Sequence, residues 1–204
     1  MKNKDFGIIL NLFIILFEII GIVIYILNHS SMDLQYYTHD SNILALITSI
    51  IYLCFVSRGK ELPKWASLLK YTSTVALSIT FLIVIFVLAP IDNFDYRFYL
   101  LDKSMLYFHL ICPLLVVISF IFFEEHKISG FKDSIRALYY TFIYSIVLFI
   151  LNIVKLIDGP YPFLRIRNNS FIVTIIWMLC IVGFSIGISV LLGKLNKRNK
   201  KSIN

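Results

Sequence analysis

SMLYFHLICPLLVVISFIFF, residues 104–123, is the stretch that decides how this chain is read. Twenty residues without a charge are about the length an α-helix needs to cross the hydrocarbon core of a bilayer. Inside the run stand His109 and, four residues on, Pro113. An ionisable side chain in a lipid-crossing helix is expensive; it faces protein or water and marks a functional site by default. Proline withholds one backbone N–H, so a carbonyl near His109 loses its helical partner and the helix is expected to loosen there.

The rest of the chain repeats this pattern. Of its 204 residues 59% are hydrophobic, and the mean hydropathy is +0.84. Soluble domains are roughly 45–50% apolar. The excess lies in six runs, at about residues 6–27, 42–56, 68–89, 104–123, 137–156 and 171–193, followed by a short basic tail, 194–204; the second is short, and an extension back through the polar run before it is the alternative. The expected fold is all-α: one bundle of six transmembrane helices in a single domain. The first run follows a charged start but is longer than a secretory h-region and has no small-x-small site after it, so it reads as a retained span.

Charge gives the orientation. Lys2, Lys4, Arg58, Lys60, Lys64, Lys70, Lys127, Lys132, Arg136, Lys194, Lys197, Arg198, Lys200 and Lys201 fall on one side. Only Arg97, Lys103, Lys155, Arg165 and Arg167 fall on the other. The positive-inside rule then puts both termini in the cytoplasm of a multi-pass plasma-membrane protein. The net charge of +7 is spread over loop ends and the tail, which speaks for membrane lipids as partners and against nucleic acid. The three cysteines, Cys54, Cys112 and Cys180, sit in separate spans, away from any metal-ligand spacing. No cofactor or metal is expected, and no oligomeric state is implied.

Small residues recur at helical spacing in two spans. Thr72, Ala76 and Thr80 share a face of the third, and Cys180, Gly183 and Gly187 one of the sixth; close helix packing is the expectation for both. In the outer loops, Asp158-Gly159-Pro160 is turn chemistry, and Pro162 keeps Tyr161 extended. That loop is expected to cap the outer end of the bundle.

Depth sorts the polar residues. At 1.5 Å per residue, His109 lies roughly 7 Å below the outer end of its span and Asn152 roughly 6 Å below the end of the fifth. Asn42 opens the second span beside Thr38, His39, Asp40 and Ser41. Glu18 is deeper, roughly 13 Å down the first span. The simplest arrangement is a polar pocket opening outward. The bland reading of each residue is structural: packing hydrogen bonds for His109 and Glu18, caps for Thr38 and Ser41, backbone partners for Asn42 and Asn152. His29 and His126 read as solvated loop residues, and the inner halves of the spans as poor in polar groups.

Tyr37-Thr38-x-x-Ser41-Asn42 before the second span, His109-x-x-x-Pro113 in the fourth and Gly159-Pro160-Tyr161-Pro162-Phe163 before the sixth occur in that order. Together they resemble the bacterial branch of the six-span superfamily that includes the androgen-induced membrane hydrolases. Animal members are threonine hydrolases of fatty-acid esters of hydroxy fatty acids. The resemblance implies a lipid-ester hydrolase or acyl-transfer enzyme, with Thr38 as nucleophile and His109 as base. In the family's pattern the threonine stands three residues before the asparagine, where this chain has His39, so Ser41 stays beside Thr38 as a candidate nucleophile. Asp40 or Glu18 would orient the imidazole, Asn42 or Asn152 would donate to an oxyanion, and Tyr161 would lie above the pocket. The alternatives are a small proton-linked transporter using Glu18 and His109 and a non-catalytic membrane scaffold.

Overall fold

In a computed structural model, which describes residues 3–128, 130–165 and 169–203, helices account for every regular element. Lys2, Arg167 and Asn204, which belong to the charge and tail readings above, lie outside that range, as do the side chains of Lys197, Arg198, Lys200 and Lys201. Among the described residues six helical segments are long and apolar enough to cross a membrane: Lys4–His29, Tyr37–Val56, Lys64–Ile91, Leu106–Phe123, Gly130–Ile153 and Ile172–Asn196. The protein is a multi-pass membrane bundle.

Helix α1 (Asn3–His29) shows the inside-out logic of such a bundle. Gly7, Asn11, Ile14, Glu18, Gly21 and Tyr25 are buried at alternating spacings of four and three, whereas Leu12, Phe13, Leu16, Ile19 and Val23 are exposed. One seam faces protein and carries the polar and small residues; the apolar remainder is left for lipid. Gly21 is required there, because a Cβ would come within 2.8 Å of the Phe108 ring. That absence lets α1 lie against the residue preceding His109.

Helix α2 (Tyr37–Val56) runs antiparallel to α1 and to α3 (Lys64–Ile83). Ser41 meets Thr80 near one end, and Ser49 meets Lys70 near the other. From Ser67 to Thr80, α3 is buried on nearly every face, as a helix at the centre of a bundle must be. It continues through a π-helical stretch, Val84–Leu88, to Ile91. Thr72, Ala76 and Thr80 do line its buried surface. A short helix α4 (Tyr96–Leu101), capped by Asp95 accepting from the Phe98 N–H, leads into the fourth span.

That span is broken where the sequence suggests. Leu106–Ile111 is π-helical, Cys112–Ile118 (α5) is regular, and Ser119–Phe123 is π-helical again. The fifth span is α6 (Gly130–Ala137) and α7 (Tyr139–Ile153), and the sixth is α8 (Phe171–Ile203). Both pack on α3 but hardly touch one another across α7 and α8. Two sequence expectations change here. The basic tail is a continuation of α8 rather than a separate segment. Gly183 and Gly187 have open space where a Cβ would be, and Cys180 is exposed, so that stripe is not a packing seam in this chain.

At the end of the bundle that holds the helix starts of α1, α3 and α6, the interior is polar, against expectation. Lys70 is 1% exposed, and its ammonium donates to Asn11 Oδ1 at 2.7 Å and Ser49 Oγ at 2.8 Å. Glu124 Oε1 lies 3.8 Å from it and accepts from Asn11 Nδ2 and Ser119 Oγ. His126, expected to be solvated, is buried with Nε2 2.8 Å from Glu124 Oε2 and its ring stacked on Phe120. Burial alone would raise the Glu124 carboxyl, but Lys70, His126 and Ser119 together hold it down at about 2. Buried charges persist only when paired and hydrogen-bonded in this way.

Candidate functional site

The second span starts five residues earlier than its hydropathy indicates. Tyr37 opens α2, and Tyr36 is its N-cap with no side-chain cap. Thr38, Asp40, Ser41 and Asn42 therefore occupy the first two turns of a helix rather than a loop, and neither Thr38 nor Ser41 is a cap.

Thr38 faces the fourth span. Its Oγ1 lies 3.2 Å from His109 Nε2. His109 Nδ1 is 2.7 Å from the carbonyl oxygen of Tyr99, a residue of the short helix α4. A carbonyl only accepts, so Nδ1 carries the proton and Nε2 is left as the acceptor of the threonine hydroxyl. His109 is 5% exposed and Thr38 7%. The group that orients the imidazole is a backbone carbonyl. Asp40, half-buried, and Glu18, fully buried, make no hydrogen bond to the ring. Glu18 interacts instead with the Cys112 thiol, and its carboxyl oxygens have no hydrogen-bond partner within normal reach.

Asn42 explains how two spans come into register. In a π-helical ladder the N–H of residue i bonds to the carbonyl of i−5. Pro113, just past that stretch, has no N–H, so one carbonyl about a turn before it loses its helical partner. In this region Asn42 Nδ2 donates to the Phe108 carbonyl at 3.3 Å and to the Thr38 carbonyl at 2.7 Å. One amide thus joins the backbone of the nucleophile candidate to the backbone beside the base candidate. Its donor is spent there and is not directed at a ligand, contrary to the oxyanion role expected of Asn42.

Ser41 points elsewhere. Its hydroxyl donates to the Thr38 carbonyl at 3.0 Å and lies 3.1 Å from Thr80 Oγ1, on the α3 side. Only Thr38 has the base within reach. Asn152, also expected at the pocket, stands at the end of α7 and donates to the Leu164 carbonyl at 3.1 Å. It fastens the following loop rather than touching the His109 side chain.

That loop brings in Tyr161. Gly159, at φ +45°, packs so tightly that a Cβ would meet the Leu164 carbonyl oxygen at 2.5 Å. Tyr161 is 9% exposed, stacks on Phe163 with centroids 5.3 Å apart and meets the Tyr36 ring edge-on. Its hydroxyl accepts the Thr38 N–H at 3.4 Å and interacts with the Thr38 side chain. Burial is the main reason its phenol is pushed up to about 12, so it is a neutral hydroxyl.

Thr38 and Tyr161 also line a cavity of about 70 Å³. Its other walls include Ile79, Ile83 and Val84 from the central span, Tyr144 from α7 and Ile181 from α8. The cavity thus lies over α3 where α7 and α8 diverge; its lining is mostly apolar, with the hydroxyl residues Thr38, Thr80, Thr141 and Ser145 also on its wall. His39, beside the dyad, is spoken for by the Asp33 carbonyl at 2.7 Å and by the rings of Tyr25 and Phe108. Among the described residues no group of three or more His, Cys, Asp or Glu side chains is placed to hold a metal ion.

What sequence reasoning missed was the Tyr99 carbonyl, which no side-chain motif announces, and the Asn42–Phe108 link, for which the Pro113 spacing was the available signal. Compared with known proteins, the chain matches no family model, no curated protein and no solved structure.

Proposed function

We propose that the protein is a plasma-membrane hydrolase or acyl-transfer enzyme acting on long-chain acyl esters, with Thr38 as nucleophile and His109 as general base. The observation that carries this reading is the Thr38 Oγ1–His109 Nε2 contact at 3.2 Å, with the imidazole tautomer fixed by Tyr99 and the hydroxyl lining an apolar cavity. A hydroxyl is a weak nucleophile until a positioned base takes its proton, and histidine is the usual base. In the first half-reaction the Thr38 proton passes to Nε2 as Oγ1 attacks the ester carbonyl carbon. Collapse of the intermediate expels the alcohol, which takes that proton from Nε2 and leaves acyl-Thr38. Water or a second alcohol then repeats the sequence and releases the acid or a new ester.

The cavity offers the start of a path for one aliphatic chain with its ester at Thr38. At about 30 Å³ per water its present volume holds about two waters, so a long chain would extend outward through the gap between α7 and α8. A substrate already dissolved in the bilayer can enter there. The excess of lysine and arginine at the opposite end speaks for the Thr38 end lying at the outer leaflet. The resemblance to the androgen-induced hydrolase superfamily points to the same class of substrate.

A transport reading has one observation in its favour: the partnerless carboxyl oxygens of Glu18, between the dyad and the Lys70 cluster. Against it, Ile14, Ala45, Leu77 and Val116, all fully buried, form an apolar cluster about one turn of α1 from Glu18. The test is turnover of fluorogenic acyl esters of graded chain length by the purified protein in liposomes, with labelling by a lipophilic fluorophosphonate. The expected result is turnover and labelling that depend on Thr38 and His109 and not on Glu18. Absence of both in wild type, or pH-driven uptake abolished by Glu18→Gln, would overturn the reading.

A further inference from the structure

Attack on an ester carbonyl places a negative charge on its oxygen, and that charge needs a donor already in position. The amides expected to serve are both committed: Asn42 to two backbone carbonyls, Asn152 to Leu164. We propose that Tyr161 is a catalytic residue, its phenolic O–H donating to the ester oxygen as Thr38 attacks. This rests on the acyl-ester reading of the site.

The geometry supports it in three ways. Tyr161 Oη is within hydrogen-bond distance of the nucleophile's own backbone N–H and interacts with its side chain, so a carbonyl held at Thr38 Oγ1 is also beside the phenol. Both residues line the same cavity. The Thr38 N–H belongs to the first turn of α2, a helix start whose amides have no intrahelical acceptor. By donating to Tyr161 Oη it polarises the phenol and makes the O–H a stronger donor.

The residue is also held still, as an electrostatic donor must be. Phe163 stacks on its face, Tyr36 meets it edge-on, and the Leu164 N–H donates to the Tyr161 carbonyl at 2.9 Å. The tight Gly159 turn and the Asn152–Leu164 bond fix the loop to α7. In the reaction the phenol keeps its proton: the carbonyl π pair moves to oxygen, Tyr161 donates a hydrogen bond to it, and the pair returns when the alcohol leaves. A phenol ionising near 12 stays a donor throughout the neutral range.

The test compares wild type, Tyr161→Phe, and protein with ring-fluorinated tyrosine incorporated at position 161, each in liposomes with one long-chain acyl ester. Tyr161→Phe keeps the ring contacts and removes only the donor. It should lower kcat on the order of 10²–10³-fold, as loss of one oxyanion donor does, with KM and the affinity for a non-hydrolysable ether analogue unchanged. Fluorinated tyrosine should retain activity and bring in an alkaline loss of kcat at lower pH than in wild type, because the donor disappears once the phenol ionises. If Tyr161→Phe retains wild-type kcat, or the alkaline limb ignores fluorination, Tyr161 is not the donor while the Thr38–His109 reading stands. If wild type neither turns over esters nor labels at Thr38, both fall together.

Discussion

Thr38 Oγ1 and His109 Nε2 are 3.2 Å apart although 71 residues separate them in the chain. The contact singles out one hydroxyl. Thr38→Ala and His109→Ala should each lower acyl-ester turnover by about 10²–10⁴-fold, the contribution of a positioned general base. The double variant should be little worse, since members of one catalytic unit act together. Ser41→Ala, whose hydroxyl serves Thr80 and a backbone carbonyl, should keep near-wild-type kcat. Steady-state kinetics on the four proteins decides this; a Ser41→Ala loss equal to that of Thr38→Ala would move the nucleophile.

Asn42→Leu should act through position. It strips the amide from the Thr38 and Phe108 carbonyls, leaving two buried acceptors without that donor. The expected loss of stability is about 1–3 kcal/mol, the desolvation cost of an unsatisfied buried group. kcat should fall while fluorophosphonate labelling at Thr38 persists at a reduced rate. Thermal unfolding in detergent and labelling kinetics together check this; unchanged labelling and unchanged melting would leave the link without a role.

Gly159→Ala should damage the site from a distance. A left-handed φ and a Cβ 2.5 Å from the Leu164 oxygen cannot both be kept. Strain of this kind costs on the order of 1–3 kcal/mol. The loop should shift and carry Tyr161 off Thr38, so kcat should drop and protease sensitivity near residue 160 rise. Ester kinetics and limited proteolysis test it.

The Lys70–Glu124–His126 cluster predicts how stability responds to acid. Glu124 is held at about 2, below its ordinary 4.5, because the pull of Lys70, His126 and Ser119 outweighs burial. A group lowered in the fold contributes stability that is complete above its ordinary value and lost as pH falls through the folded one. Tm should therefore decline between about pH 4.5 and 2, and Glu124→Gln should flatten that decline. At neutral pH Lys70→Met should cost about 3–5 kcal/mol by leaving a buried carboxylate uncompensated, and adding Glu124→Gln should restore much of it. A double variant no better than Lys70→Met would contradict the pairing.

Topology is tested separately. Reporter fusions after Lys64 and Lys132 should read cytoplasmic, and a fusion after Tyr161 should read external, following the lysine and arginine asymmetry. A reversed pattern would place the dyad at the cytoplasmic leaflet and change the substrate pool, though not the chemistry.

Six spans were legible in the chain because each is a local property. A run of about 20 apolar residues partitions into the bilayer whatever its neighbours do. The weight of His109 was legible too, since a charge-capable ring in such a run is costly by itself. The start of α2 was open to two readings: Tyr37 to Ser41 are polar enough to resemble a loop, and they join the helix because His109, Tyr161, Asp33 and Thr80 satisfy them. The same holds for Lys70 and His126, which hydropathy assigns to the water and the bundle draws inside. Lys70 finds Asn11 59 residues away, and Asn11 finds Glu124 across 113. Such pairings depend on how each helix is rotated and how far it slides against the next, at 100° and 1.5 Å per residue. Composition and spacing therefore determined that these segments cross a membrane and which side chains are costly within it. Only packing of the helices decided that Thr38 rather than Ser41 meets the histidine and that a carbonyl rather than a carboxylate orients the ring.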